Sequence, residues 1–255
     1  MHGSIRSHLD HVQCEKLHML TVMTYNVGDG LADPDQLVEV LRTSSADIVG
    51  IQELAPNQAE AIAQDLAGEY PHQVLHPDGI PGKGILSRFP LTETTQLDHH
   101  PGRPDLQGRV ETPDGDLNVL VAHPPPPRFG RNRQQLDALS NAQIRQIIEA
   151  VSTGDPVVLL TDFNRISWHA AYRQLSSAGL IDAYAASGPG LGLTLPTRLA
   201  HPASRNTPLG RMPLPPILRV DYVWHTRHFR ATGSWVGQNA GSDHLPVLAT
   251  LERVE

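Results

Sequence analysis

An Asp-His pair near the C-terminus is the first candidate for chemistry in this sequence. Asp243-His244 leads directly into the apolar, strand-like run 247–251. A carboxylate and an imidazole held side by side at the mouth of a strand suit proton transfer or phosphate chemistry. On its own, such a dipeptide is more often part of a turn, so its meaning depends on what other strand ends supply.

Polar side chains also stand at the ends of four other apolar runs. Those runs cover residues 23–26, 48–53, 119–123 and 158–164, and a further run, 220–224, contains one carboxylate. The polar residues are Asn26, Glu53, His123, Asp162, Asn164 and Asp221. Because α/β proteins place their sites where strand ends meet at a sheet edge, we expect these side chains to converge.

Each of these residues also has a purely structural interpretation. Glu53 could be a solvated strand terminus, Asn26 could make a turn and His123 could simply be packed. Asp221 is different, because a carboxylate between apolar neighbours is costly to bury unless a cation, a metal or a hydrogen-bond donor pairs with it. The structural interpretations would all have to hold independently, so the set as a whole favours a catalytic site.

The length and composition indicate one α/β domain. The chain has 255 residues, of which 39% are hydrophobic, enough for a large core. Residues 1–18 are polar and lack periodicity, so we expect a flexible tail followed by one domain over residues 19–255. The absence of a long apolar run favours a soluble, cytoplasmic protein without a membrane span or signal peptide. The single Cys14 excludes an internal disulfide and a multi-cysteine zinc site.

Hydrophobic periodicity predicts strands alternating with helices. Helices are predicted from Pro34 to about residue 41, over 57–67, over 132–151 and from a Ser167 cap through 178. Strands are predicted over residues 19–25, 48–51, 73–75, 84–87, 91–96, 107–111, 117–122, 157–160, 220–224, 232–236 and 247–251. Residues 187–218 carry no clear element, and a segment of that length inside a domain is usually functional or mobile.

Positive charge is concentrated near the C-terminal third of the chain. The net charge is −7, yet residues 198–230 hold six arginines and one acidic residue. A guanidinium fork matches phosphate oxygens, which favours phosphate recognition, although a generally arginine-rich composition explains the same pattern equally well. We therefore expect a local site for an anionic substrate rather than a broad nucleic-acid surface.

At this point the chain resembles the endonuclease/exonuclease/phosphatase superfamily, which has the deoxyribonuclease I-like fold. The matching strings, in the family's order, are Thr24-Tyr25-Asn26, Ile51-Gln52-Glu53, Gly84-Ile85-Leu86-Ser87-Arg88, Thr161-Asp162-Phe163-Asn164, Val220-Asp221-Tyr222-Val223 and Gly241-Ser242-Asp243-His244-Leu245-Pro246-Val247. The resemblance implies a four-layer α/β sandwich, in which two packed mixed sheets are flanked by helices. His123 with four prolines resembles a bacterial branch whose members are often membrane-anchored, and we expect no such anchor here.

The resemblance implies a metal site and a water-activating group. Glu53 would be the principal ligand of a Mg²⁺ or Mn²⁺ ion, a hard cation that takes oxygen ligands. Asn26 and Asp243 would complete that site directly or through water. Asp162 would orient or deprotonate the attacking water, and Asn164 would hold the phosphate.

The resemblance also implies two acid/base histidines. His244 would contact the scissile phosphate or serve as general base, and His123, paired with Asp221, would be the second acid/base. Asp243 would bridge the metal and the His244 imidazole. Substrate contacts are expected from Arg131, Arg133, Asn164, Thr194 and Arg219.

The predicted activity is metal-dependent phosphodiester hydrolysis. A metal neutralises the developing charge, and two proton-handling groups serve the attacking and leaving oxygens. The first interpretation is a nuclease that acts on DNA or RNA. The alternatives are a phosphatase or phospholipase-like hydrolase of a small or lipid phosphoester, and a non-catalytic binding module. Such a module should have lost some of the eight polar positions, and all eight are present.

Overall fold

Two six-stranded sheets form the frame of the molecule. The computed structural model describes residues 19–127, 133–198, 207, 210 and 212–254, with the side chains of 133–136 outside the description. The strands are β1 Leu20–Asn26, β2 Ile48–Gln52, β3 His72–His76, β4 Lys83–Ser87, β5 Leu91–Leu97, β6 Asp105–Thr112, β7 Gly115–Ala122, β8 Val157–Asp162, β9 Ile181–Asp182, β10 Asp221–His225, β11 Phe229–Val236 and β12 Val247–Arg253. The helices are α1 Pro34–Ser44, α2 Pro56–Asp65, α3 Arg133–Val151, α4 Ala170–Ser177 and α5 Ala183–Ser187.

Both sheets are mixed. The first has the strand order β11-β12-β1-β2-β4-β3, and the second has the order β5-β6-β7-β8-β10-β9. One parallel pair lies in each sheet, β1 with β2 and β7 with β8, and the other pairs are antiparallel. The predicted architecture of two packed mixed sheets flanked by helices is confirmed.

Strand periodicity sorts the apolar side chains into three layers of core. Val22 and Ile48 face the second sheet, where Leu160 belongs to the same central cluster. On the outer face of the first sheet, Met23 and other side chains pack against α1 and α2. A third cluster joins the second sheet to α3 and α4. The four layers are therefore α1 and α2, the first sheet, the second sheet, and α3 and α4, with one apolar cluster between each pair of neighbouring layers.

One glycine allows the two sheets to approach closely. Gly50 lies in the middle of β2, and a Cβ built there would stand 2.7 Å from the Leu160 Cβ and 2.9 Å from a methyl carbon of Val121. Such distances leave no room for a side chain, so glycine at this position fixes the sheet spacing beneath the site.

The predicted elements are found with small changes of boundary, but two details differ. Helix α4 is capped by the His169 imidazole, which accepts a hydrogen bond from the Ala171 amide, and the predicted Ser167 cap is wrong. The short elements β9 and α5 were not predicted, because two- and five-residue elements carry too little periodicity. The described part of 187–218 beyond α5 contains only isolated bridges, such as Leu195 with Leu218. The predicted tail 1–18 lies outside the described residues, and no described helix is long and apolar enough to cross a membrane.

Candidate active site

The polar strand ends converge at one edge of both sheets, as the sequence predicts. Asn26 ends β1 and lies beside Gln52, the residue before Glu53, in the parallel register. In the second sheet Asp162 ends β8 directly opposite Asp221, the first residue of β10. We call the eight residues at this edge the polar cluster: Asn26, Glu53, His123, Asp162, Asn164, Asp221, Asp243 and His244.

Asp162 connects the two sheets through its carboxylate. Asn26 Nδ2 donates to Asp162 Oδ2 at 2.9 Å, and the backbone N–H of Asn164 donates to Asp162 Oδ1 at 3.0 Å. Burial alone would raise the pKa of Asp162, but the imidazoles of His244 and His123 and the Asn26 hydrogen bond lower it to about 2. Asp162 is therefore a carboxylate at neutral pH.

Asp221 holds the imidazole of His244. Nδ1 of His244 donates to the Asp221 carboxylate at 2.9 Å, and both side chains are buried. Burial alone would lower the pKa of His244, but the Asp221 and Asp162 carboxylates raise it well above the ordinary value. For Asp221, burial raises the pKa and the facing imidazole opposes that effect. With Nδ1 engaged, Nε2 of His244 is the atom left for substrate.

The predicted pairing of His123 with Asp221 is wrong. The strand order β7-β8-β10 puts β8 between them, so Asp162 separates the two side chains. His123 Nε2 lies 3.3 Å from Asp162 Oδ2 and 3.7 Å from Glu53 Oε1. The sequence alone does not reveal which strand lies next to β10, and this order decides the pairing.

The proline run after His123 also positions the loop that follows β8. The Pro124 carbonyl accepts from Asn164 Nδ2 at 3.2 Å, and the Pro125 carbonyl accepts from Arg165 Nη1 at 2.8 Å. The restricted backbone of consecutive prolines keeps these carbonyls in place. These two hydrogen bonds connect the loop after β7 to the loop after β8.

Glu53 has the environment of a cation ligand. Its backbone has φ 55° and that of Asn164 has φ 53°, a left-handed conformation that few non-glycine residues adopt. Among the described residues, His123 at 3.7 Å is its nearest ionic partner, too far for a hydrogen bond. Burial is the main effect that raises the pKa of the Glu53 carboxyl; the His123 and His244 imidazoles oppose it, and the carboxylates of Asp162 and Asp243 add to it. A cation beside Glu53 would lower this pKa and offset the repulsion between the carboxylates.

Asn26, Gly28 and Asp243 lie together where β1 ends. Asn26 Oδ1 accepts from the Gly28 amide at 2.9 Å, which fixes the side-chain amide. A Cβ at Gly28 would stand 3.1 Å from Asp243 Oδ1, and Gly28 has φ 73°. The donor set of Glu53, Asn26 and Asp243 therefore fits a hard divalent cation.

A second group could also hold a metal ion. Ligand atoms of Asp162, Asp221 and His244 all lie within 4.8 Å of one another, and all three residues are buried. These atoms already bond within the cluster, His244 with Asp221 and Asp162 with Asn26. The Glu53 side is the better fit, because its carboxylate lacks such partners among the described residues.

Two supporting residues were not assigned a role from the sequence. The Ser242 hydroxyl donates to the Asn26 carbonyl at 2.7 Å and accepts from the His244 amide at 3.1 Å, tying the loop before β12 to the end of β1. Buried Asp105 accepts from Gln143 Nε2 at 3.0 Å and from the His123 amide at 3.4 Å. Ser242 lies inside the string 241–247, which is a usable signal, whereas Asp105 at the start of β6 carries none.

The predicted substrate contacts have varied positions. Asn164 lies in the polar cluster. Thr194 is fully buried, and its hydroxyl accepts a hydrogen bond at 3.4 Å from the amide of Val220, the residue before Asp221, so it is not exposed to a substrate. Arg219 forms an ion pair with Asp182 at 2.8 Å. Arg131 lies outside the described residues, and of Arg133 only the backbone at the start of α3 is described.

Comparisons with known proteins agree with this fold. The model of the Endonuclease/Exonuclease/phosphatase family matches residues 23–244, and no curated protein matches. A family protein of Bacteroides thetaiotaomicron is 18% identical with a TM-score of 0.70, covering 94% of this chain and 100% of its own. A mannosyl-6-phosphatase of the same organism is 19% identical with a TM-score of 0.68, covering 91% and 99%. D. rerio TDP2 complexed with a single-strand DNA product is 16% identical with a TM-score of 0.66, covering 91% and 98%. The chain belongs to the Endonuclease/Exonuclease/phosphatase family of hydrolytic, mostly metal-dependent phosphoesterases.

Proposed function

We propose that this protein is a Mg²⁺- or Mn²⁺-dependent phosphodiesterase that hydrolyses a nucleic acid, DNA or RNA. The observation that supports this most directly is the arrangement of two imidazoles around one carboxylate. His123 Nε2 and His244 Nε2 lie 3.3 Å and 3.8 Å from the same oxygen, Asp162 Oδ2. Diester hydrolysis needs one group for the attacking water and one for the leaving alkoxide, and this geometry offers both.

The metal would be held by Glu53, Asn26 and Asp243. When bound there, it supplies positive charge against the non-bridging phosphate oxygens and the developing alkoxide. The cation would also offset the mutual repulsion of Glu53, Asp162 and Asp243.

The protein side chains would divide the remaining work. Asp162 accepts a hydrogen bond from the attacking water and orients it towards phosphorus. Asn164 Nδ2 donates to a phosphate oxygen in exchange for one of its present bonds, to the Pro124 carbonyl or to Asp162 Oδ2. His244, held at Nδ1 by Asp221, presents the Nε2 proton to the phosphate. His123 Nε2 lies on the other side of Asp162 and serves whichever of the two reacting oxygens, attacking or leaving, His244 does not serve.

A second candidate function is hydrolysis of a small or lipid phosphoester. It is favoured by the state of the described arginines, because Arg219 pairs with Asp182 and Arg230 pairs with Glu252. Arg198 donates to the carbonyls of Gly210 and Gly241. The two ion-paired guanidinium groups are neutralised by carboxylates, and the donors of Arg198 are committed to carbonyls, which leaves less positive charge for a long polyanion.

One substrate panel separates the two functions. Purified protein is incubated with plasmid, single-stranded DNA, RNA, bis-p-nitrophenyl phosphate, p-nitrophenyl phosphate and sphingomyelin, each with Mg²⁺, Mn²⁺ or EDTA. Cleavage of diesters and polynucleotides, abolished by EDTA and by His244→Ala, is expected. Cleavage of monoesters alone would reject the phosphodiesterase, and full activity in EDTA would reject the metal-dependent mechanism.

A further inference from the structure

A second concave site lies beside the polar cluster. It has a volume of about 430 Å³ and is formed by residues 166–168 after β8, by 184–193 from α5 onwards and by 217–219 before β10. We call it the side pocket. It is separate from the polar cluster, since none of the eight residues of that cluster lines it.

The rim of the side pocket gathers exposed apolar side chains. Trp168 is 83% exposed, Leu191 75%, Ile217 67% and Leu218 38%. The described part of the chain has nine large hydrophobic residues that are exposed, and these four surround one pocket. A contiguous exposed apolar patch marks a binding site more often than single, scattered exposed side chains do.

The chain connects the side pocket closely to the polar cluster. Ile166 follows Asn164 by two residues, and Arg219 precedes Asp221 by two. Leu218 accepts a hydrogen bond at its carbonyl from the Thr194 amide, and the Thr194 side chain contacts Asp221. The two sites therefore share the loop after β8 and the segment before β10, and we expect a substrate whose phosphate lies in the polar cluster to reach the side pocket with its neighbouring group.

The chemistry of the side pocket favours a flat aromatic ring. Its cation, Arg219, is neutralised by Asp182 and lies over the rings of Tyr184 and Tyr222, so the pocket offers no uncommitted charge from that residue. The Tyr184 hydroxyl donates to the Pro189 carbonyl at 2.6 Å. A sugar would need several hydrogen-bonding partners, whereas the exposed indole of Trp168 suits stacking. An alkyl chain would gain most from enclosure, which a rim this exposed does not give.

We propose that the side pocket binds the base of the nucleotide next to the scissile phosphate, with Trp168 as its stacking surface. This inference rests on the proposed phosphodiesterase function, which it extends from the phosphate to the neighbouring nucleoside. Stacking on an indole is tolerant of base identity, because every base has a π-face. The side pocket would therefore provide affinity with little base preference.

The test compares two diesters with the same leaving group. Thymidine 5′-(p-nitrophenyl phosphate) carries a base, and methyl p-nitrophenyl phosphate does not. Trp168→Ala is expected to raise KM for the thymidine ester about tenfold, with kcat/KM for the methyl ester unchanged within about twofold. Trp168→Phe, which keeps a ring, should retain most of the affinity, and Trp235→Ala, on β11, should match the wild type.

Tryptophan fluorescence in EDTA gives an independent readout of binding. Thymidine 5′-monophosphate should quench the emission of the wild type and should not quench that of Trp168→Phe. Octyl phosphate serves as the competing alkyl probe, and quenching by octyl phosphate alone would overturn the inference.

The kinetic outcomes separate this inference from the proposed function. If wild-type protein hydrolyses both diesters and Trp168→Ala lowers both equally or neither, the side-pocket proposal fails and the phosphodiesterase stands. If wild-type protein hydrolyses neither diester with Mg²⁺ or Mn²⁺, the proposed function itself fails, and the inference with it.

Discussion

Asp221 accepts a hydrogen bond from Nδ1 of His244 at 2.9 Å, joining the second sheet to the loop that precedes β12 of the first. The two residues are 23 positions apart in sequence, and both are buried. The carboxylate fixes the tautomer and the direction of the ring, so Nε2 is turned towards the polar cluster. This relationship makes the two residues one functional unit.

Double-mutant kinetics should show that unit. Asp221→Asn and His244→Ala are each expected to lower kcat about a hundredfold, because both remove the oriented proton donor. Combined, they should cost little more than His244→Ala alone, since members of one unit are not additive. Asp221→Asn combined with His123→Ala should instead multiply the two losses. Equal additivity in both pairs would contradict the assignment.

Glu53→Gln should weaken metal binding without unfolding the protein. The amide removes the negative charge that the donor set offers to a divalent cation, so the dissociation constant for Mn²⁺ should rise about tenfold or more. Isothermal titration calorimetry with Mn²⁺ measures this without turnover. Glu60→Gln, on the exposed face of α2, is the matched control and should bind like the wild type. An unchanged Mn²⁺ affinity for Glu53→Gln would instead favour the Asp162, Asp221 and His244 group as the metal site.

Ser242→Ala should lower both stability and activity. Its hydroxyl makes two buried hydrogen bonds, to the Asn26 carbonyl and from the His244 amide, so the free energy of unfolding should fall by about 1–2 kcal/mol. Ser234→Ala is a matched control, because Ser234 is buried on β11 and donates to the Leu248 carbonyl at 2.6 Å. Urea denaturation should show similar losses for both variants, with a reduced kcat only for Ser242→Ala. A similar loss of kcat in Ser234→Ala would mean that stability alone explains the effect.

Much of the site could be predicted because its residues sit where apolar runs end. A buried strand is recognisable from its composition, and polar residues at strand ends gain meaning when several strands end in this way, as with Glu53 after β2 and Asp162 at the end of β8. Their convergence follows from the general geometry of sheets, without knowledge of strand order.

The unpredicted features depend on strand order or on weak local signals. Pairing Asp221 with His244 instead of His123 requires the order β7-β8-β10, which hydrophobic periodicity does not contain. Helix α4 begins after His169 rather than Ser167 because an imidazole accepts the capping hydrogen bond, an uncommon choice. The side pocket forms from three segments that are separate in sequence, so it could not be predicted from local patterns. No pattern in the sequence indicates that the indole of Trp168 is exposed.

A buried lysine provides a further test of the space between the sheets. Lys83, on β4, is 2% exposed, and its Nζ donates to the Pro81 carbonyl at 3.1 Å. Burial lowers the pKa of Lys83 to about 8, although the charge of Asp105 opposes that effect. Because the pKa of Lys83 is lower in the folded protein than in the unfolded chain, the free energy of unfolding should depend on pH.

The stability of the wild type relative to Lys83→Met should rise with pH. The unfolded chain keeps the Lys83 proton up to about pH 10.5, while the folded protein releases it near pH 8, so the cost of the buried charge is present below pH 8 and is relieved as the pH rises. Between pH 7.5 and 9.5 the difference in unfolding free energy should shift in favour of the wild type by about 1–2 kcal/mol. Urea denaturation in EDTA at both pH values measures this difference, and Lys83→Arg, which stays charged, should show no such rise. A difference that is constant with pH would mean that Lys83 keeps its ordinary pKa and that the space between the sheets is better hydrated than its burial implies.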